Sequence, residues 1–179
     1  NLLKIKTLTE GLRGLMVWTG LQVDFAKIEK DKFKKQKYDD WVALMTPILK
    51  SFSTDVGLEA ANLAVQIYGG HGYIQDHGIE QLVRDCRITP IYEGTNGIQA
   101  LDLIGRKVPM HTGRLLKSFF HEVKEYLEKN SFNFNLKEFI PHLTKSFSRL
   151  QQVTSFLASK GLTDPDEAAG ASADYLKMF

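Results

Sequence analysis

A chain of 179 residues with 23 basic and 21 acidic side chains, and a formal charge of +2, gives no global reason to expect nucleic acid as a partner. Its ordinary apolar share excludes a disordered chain, and its one cysteine, Cys86, excludes an intrachain disulfide and fits a reducing compartment. No apolar run approaches the ~20 residues of a membrane-spanning helix.

The first residues, NLLKIKTLTEGLRGL, lack the layout of a secretory signal and begin as if already inside a helix. Ile5, Leu8, Leu12, Leu15 or Met16, and Trp18 form one helical stripe, which predicts a helix to about Ile28. The following KIEKDKFKKQK run is read as a solvated helix end or loop. A second helix is expected from about Asp39-Asp40. Thr46-Pro47 then reads either as the cap and first residue of a new helix or as a kink in one longer helix. From Ile48 through Phe52, Val56, Ala60 and Ile67 the helical period holds, and Gly69-Gly70 is a C-terminal stop.

GGHGYIQDHG reads as a glycine-rich loop and IEQLVRDCRIT as a short helix closed by Pro90. Thr95 or Asn96 caps the next helix, whose inner face is expected to be Ile98, Leu101 and Ile104. Further helices follow around Leu116–Leu127 and Leu143–Leu157, and a third begins at Asp164-Pro165. No stretch alternates with the period of a strand. The expected class is all-α, an antiparallel bundle over residues 1–108 with a helical extension over 109–179. Both ends read as cuts through a longer protein.

Candidate chemistry is sparse. GGHGY follows a helix, not a strand, so it matches a Rossmann phosphate loop poorly. His71 and His77 lack companion ligands for a metal. Arg84 and Arg87 flank Asp85 and are either a local ion pair or anion-facing. Glu93 is the sharper case, because it has no other acid within seven residues and sits between Ile91-Tyr92 and Gly94-Thr95-Asn96. Two readings stand for it. One is an exposed acid favoured by a helix dipole; the other is a general base with room beside it for a substrate.

The pieces Gln66-x-x-Gly69-Gly70-x-Gly72-Tyr73, Arg84-Asp85-x-x-Ile88, Tyr92-Glu93-Gly94-Thr95 and Ile98-Gln99, in that order, resemble the C-terminal signature of the acyl-CoA dehydrogenases. The segment from Gly113 to Phe179 resembles the extra helical region of a larger subgroup that includes methylmercaptopropionyl-CoA dehydrogenases. The resemblance implies the C-terminal helical part of an FAD-dependent enzyme that desaturates an acyl-CoA thioester between its α and β carbons. It implies Glu93 as the catalytic base, with Tyr92 and Gly94 near the substrate. It implies FAD contacts from Gln66, Ile67, Tyr68, Gly69 and Gly70, reaching a neighbouring subunit's flavin, and from Thr95, Asn96 and Gly97.

A homo-oligomer, an electron-transfer flavoprotein partner and a cytoplasmic or other reducing soluble location follow from the same resemblance. The chain alone is expected to be inactive. A helical interaction module retaining the family scaffold is the rival reading. A DNA-associated relative is a weaker one, since residues from Gly113 onward balance nine basic side chains with eight acidic ones.

Overall fold

A computed structural model describes all residues, 1–179, and contains helices and turns with no strand. The helices are α1 (Leu2–Ile28), α2 (Lys32–Tyr68), α3 (Gly70–Tyr73), α4 (Ile79–Arg87), α5 (Asn96–Asp102), α6 (Met110–Asn130), α7 (Ile140–Thr163), α8 (Pro165–Gly170) and α9 (Ser172–Leu176). No helix is long and apolar enough to cross a membrane.

The first two helices form an antiparallel hairpin. Lys4 pairs with Glu59, the Trp18 and Trp41 rings meet edge-on at 4.7 Å, and Phe25 meets Tyr38 at 5.4 Å. The lysine run ends α1, turns at Glu29, Lys30 and Asp31, and opens α2, in keeping with a solvated helix end. Asp31 starts α2 by accepting hydrogen bonds from the Phe33 and Lys34 amides, at 2.9 and 3.0 Å. The expected start near Asp39-Asp40 is therefore corrected. Asp40 is buried within the helix, where its carboxylate accepts from Gln36 Nε2 at 3.0 Å and from Arg114 at 2.7 and 3.0 Å.

Pro47 lies inside this one helix of 37 residues, so the reading of Thr46 as a new cap fails and the single-helix alternative holds. Proline removes one backbone donor, and the Thr46 hydroxyl, instead of capping, donates to the Val42 carbonyl at 2.7 Å. Pro47 and its neighbours Leu44 and Ile48 are buried, and packing holds the helix continuous across the missing bond.

The core joins the α2 residues Trp41, Leu44, Met45 and Ile48 to residues from α5 onward, among them Leu103, Leu115, Leu150 and Tyr175. An aromatic chain runs through it. Trp41 contacts Phe119 at 5.6 Å, Phe119 contacts Phe179 at 5.4 Å, and Phe179 meets Tyr175 edge-on at 5.5 Å. The Tyr175 hydroxyl shares a hydrogen bond of 2.8 Å with Thr154 on α7. The C-terminal helices thus close over the α1–α2 hairpin rather than trailing from it.

Two irregularities mark the passage between α5 and α6. Leu103–Lys107 winds as a π-helical turn, with Leu103 and Lys107 both buried. Then His111, Thr112 and Gly113 all take left-handed backbone angles, φ 51, 60 and 77, before regular helix resumes at Arg114. A β-branched threonine in that region is strained. Lys117 Nζ donates to the Thr112 carbonyl at 3.0 Å, and Gly113 N to the Pro109 carbonyl at 3.2 Å, which holds the reversal closed.

Candidate active-site turn

Glu93 sits in a tight turn between α4 and α5. It is one of three non-glycine residues with positive φ, at 54, and Gly94 follows at 85. The turn closes through Tyr92 N to the Ile88 carbonyl and Asn96 N to the Pro90 carbonyl, each 3.1 Å. Three side chains from the start of α5 then fix it. Thr95 is the cap and accepts from Ile98 N at 3.3 Å. Gln99 Nε2 reaches back to the carbonyls of Glu93 and Gly94, both at 3.4 Å. Position 94 favours glycine for its backbone angle, and a Cβ there, 2.8 Å from that same nitrogen, would displace the Gln99 amide.

Asn96 provides the third tie. Its Nδ2 donates to the Ser51 carbonyl at 3.3 Å, to Thr54 Oγ1 at 3.0 Å and to Asp55 at 2.8 Å, while its Oδ1 accepts from Lys50 at 2.9 Å and from Thr54 Oγ1 at 3.2 Å. The residue therefore anchors the turn to the middle of α2. The capping role left open between Thr95 and Asn96 falls to Thr95. The side chains of Lys50, Thr54 and Asp55 lay outside the sequence reading. Their spacing along one helical face was visible, but nothing local tied them to a turn more than forty residues away.

Within this frame the Glu93 side chain is exposed and takes part in no ion pair of the chain. Tyr92, Thr95 and Gly97 are exposed around it. The carboxylate stands at the mouth of α5, where a negative charge is favoured by the helix dipole. The arrangement presents one free carboxylate, without a neutralising cation, on a backbone that cannot easily swing.

The second group of predicted residues lies elsewhere. Gln66, Ile67, Tyr68, Gly69 and Gly70 are all exposed at the far end of α2. Gly69 ends the helix at φ 61, and neither it nor Gly70 has any atom within 4 Å of where a Cβ would stand. From Asp55, where Asn96 is anchored, to Gln66 is eleven residues of helix, about 16 Å. The fold thus makes two separate patches of one chain, the carboxylate turn and the glycine strip. Gly72 is instead a packing glycine, since a Cβ there would meet the Val65 carbonyl at 2.6 Å.

Between the patches runs α4. Arg84 and Arg87 are exposed, and Asp85 accepts from Gln81 Nε2 at 2.7 Å, so the local ion pair is not formed. Arg84 lines an open groove of about 640 Å³ with Asn62, Val65, Tyr73 and Gln75. The rings of His71 and His77 meet edge-on at 5.3 Å.

The fold and site define a helical bundle that offers an exposed carboxylate turn and a separate glycine strip, with its core closed between α2 and the residues from Ala100 onward. Residues 31–108 match the family model for the acyl-CoA dehydrogenase C-terminal domain, and the chain belongs to that family. It is 42% identical to a 3-methylmercaptopropionyl-CoA dehydrogenase of Ruegeria pomeroyi over 118 residues, which are 66% of this chain and 20% of the relative. It is 31% identical over 161 residues to a broad-specificity linear acyl-CoA dehydrogenase of Mycobacterium tuberculosis, covering 88% of this chain and 26% of that protein. The structure of Caenorhabditis elegans ACDH-11 in complex with C11-CoA shares the fold at a TM-score of 0.77 and 21% identity, over 97% of this chain and 29% of that one. The chain spans about a fifth of the length of the first curated relatives it matches.

Proposed function

We propose that this chain supplies the general base and one flavin-contacting edge of an acyl-CoA dehydrogenase, with Glu93 removing the α-proton of an acyl thioester. The observation that carries the reading is the Glu93 turn itself. A free carboxylate held at positive φ by Thr95, Asn96 and Gln99 is costly to keep, and a purely structural role gives no reason to keep it.

The chain's own residues would act as follows. Glu93 accepts the proton and holds it at a carboxylate oxygen. Gly94, with no side chain, leaves the approach to the thioester open, and Tyr92 offers a ring beside it. Asn96 and Gln99 hold the backbone on which that carboxylate stands. Substrate closing over this exposed turn would exclude water from the reacting atoms.

FAD, when bound, supplies the acceptor for the β-hydrogen. The glycine strip fits contact with such a group, because its backbone is open where a Cβ would stand and an exposed tyrosine and glutamine flank it. The separation of strip from turn along α2 supports a strip that serves the flavin of a neighbouring copy, and hence a homo-oligomer. Electron-transfer flavoprotein is the electron acceptor this reading expects, in a cytoplasmic or similar reducing setting.

The test is made in the full-length parent. Glu93→Gln should retain the visible absorption of bound flavin and lose its bleaching by acyl-CoA, and normal bleaching would remove Glu93 from the role. The 179-residue chain, given FAD and a panel of acyl-CoAs, should reduce no dye.

A further inference from the structure

The end of the bundle opposite the glycine strip carries an unusual surface. Two chain reversals lie at that end, the α1–α2 turn and the α6–α7 turn. Their common level follows from the register of α6 against α2. Asp40 pairs with Arg114 and Lys37 with Glu122. Lys129 holds the Glu125 carboxyl below its usual range, first by hydrogen bond and then by charge, with smaller contributions from the charges of His121 and Lys37. From the Lys37–Glu122 pair, α2 runs back six residues to Asp31, about 9 Å, and α6 runs on eight residues to Asn130, about 12 Å. The two tips therefore end side by side.

Each tip holds phenylalanines out into solvent. Phe33 is 89% exposed, Phe132 100%, Phe134 75% and Phe139 64%. Lysines surround them. Residues 27–37 contain six lysines and two acids, and residues 129–139 two lysines and one acid, Glu138. The two acids of the first tip face their own backbone. Asp31 caps α2, and Glu29 accepts from the amides of Lys30 and Asp31 at 2.8 and 2.9 Å. Of the six lysines, only Lys37 forms an ion pair. In the second tip Lys137 lies 4.3 Å from the centre of the Phe134 ring. The sequence alone read the lysine run as a solvated helix end; beside the second tip it becomes half of a shared surface.

Exposed aromatic rings among unpaired lysines, presented at one end of the bundle, are what an anionic bilayer surface selects. The rings enter the headgroup boundary and the ammonium groups meet lipid phosphates. We infer that this end of the bundle docks peripherally on membranes rich in anionic phospholipid, through Phe33, Phe132 and Phe134 and the lysines of the α1–α2 turn. The two tips stand on separate helix pairs joined by the core, so they can engage one flat surface together.

Co-sedimentation of the 179-residue chain with vesicles tests this. Vesicles of phosphatidylcholine with phosphatidylglycerol should bind the chain, and phosphatidylcholine alone should bind it at least about tenfold more weakly. Phe33→Ser with Phe132→Ser should lower affinity about tenfold while leaving the helical circular dichroism unchanged, since both rings are exposed. Lys32→Glu with Lys35→Glu should do the same and remove the dependence on salt. Equal binding to neutral vesicles, no binding to anionic ones, or unchanged binding by the double phenylalanine variant would overturn the inference. So would a fall in oligomeric mass on removing the phenylalanines without loss of vesicle binding, which would assign the surface to a second copy. Salt-dependent binding to duplex DNA that the phenylalanine variants leave intact would assign it to nucleic acid instead.

Discussion

From Asn62 to Gln99 the chain buries one residue, Gly72, whereas the stretch that begins with Ala100 closes most of the core. The two regions are adjacent in sequence and held by different forces. The second is held by apolar burial around Leu103, Leu115, Leu150 and Tyr175. The first keeps its shape through caps, a glutamine clamp and the Asn96 anchor, while Ile67, Tyr68, Leu82, Ile88, Tyr92 and Ile98 remain exposed. A region that spends its apolar residues on the surface and its polar ones on fixing turns is arranged for contact rather than for stability.

The largest expected effect breaks the second region. Leu103 is fully buried, and Leu103→Ala should cost about 3 kcal/mol in urea unfolding. Ile98 is on the preceding helix and half-exposed, so Ile98→Ala should cost only about 0.5 kcal/mol. Similar losses at the two positions would abolish the contrast. Next comes Arg114→Leu, which strips the buried Asp40 of its bidentate partner and leaves only Gln36. Because Arg114 itself is partly exposed, a loss of about 2 kcal/mol is expected, and it should shrink when Asp40→Asn is added. Asn96→Ala should cost about 1 kcal/mol. Its more telling readout is hydrogen exchange at the Tyr92 and Asn96 amides, which should quicken while α9 amides stay protected.

The helical class, a cap at Thr95 or Asn96, the stop at Gly69 and the start at Asp164 were legible in the sequence because each rests on neighbours a few residues apart. The inner face of α5 was not. Ile98 and Leu101 keep the helical period but are exposed, and Ala100 and Leu103 are buried, with Ile104 only partly so. Which side of an apolar helix faces inward is settled by where α2 and α9 lie, and period alone cannot say so. The same holds for Asp40, read near a helix start and drawn inside by Arg114 from 74 positions away. Of the candidate site, the order of the motif pieces was visible. The distance between turn and strip, and the clamps that hold Glu93, required the fold.

The smallest effect sharpens the comparison from the side of the core. Burial pushes the Tyr175 phenol above its ordinary range, and the Thr154 hydrogen bond only partly opposes it. A phenol whose folded-state value is raised contributes stability that is whole below the unfolded value, near 10, and is lost as pH rises from there towards the folded value. Wild-type stability should therefore fall above about pH 10, and Tyr175→Phe should remove that part of the fall. At neutral pH the substitution should cost less than about 1 kcal/mol, because the ring stays in place and Thr154 keeps its bond of 2.7 Å to the Leu150 carbonyl. Parallel urea titrations at pH 7 and pH 10.5 would decide it. If the variant and the wild type lose the same stability between the two, the phenol is not as sealed from water as the packing of Phe179 and Leu150 around α9 requires.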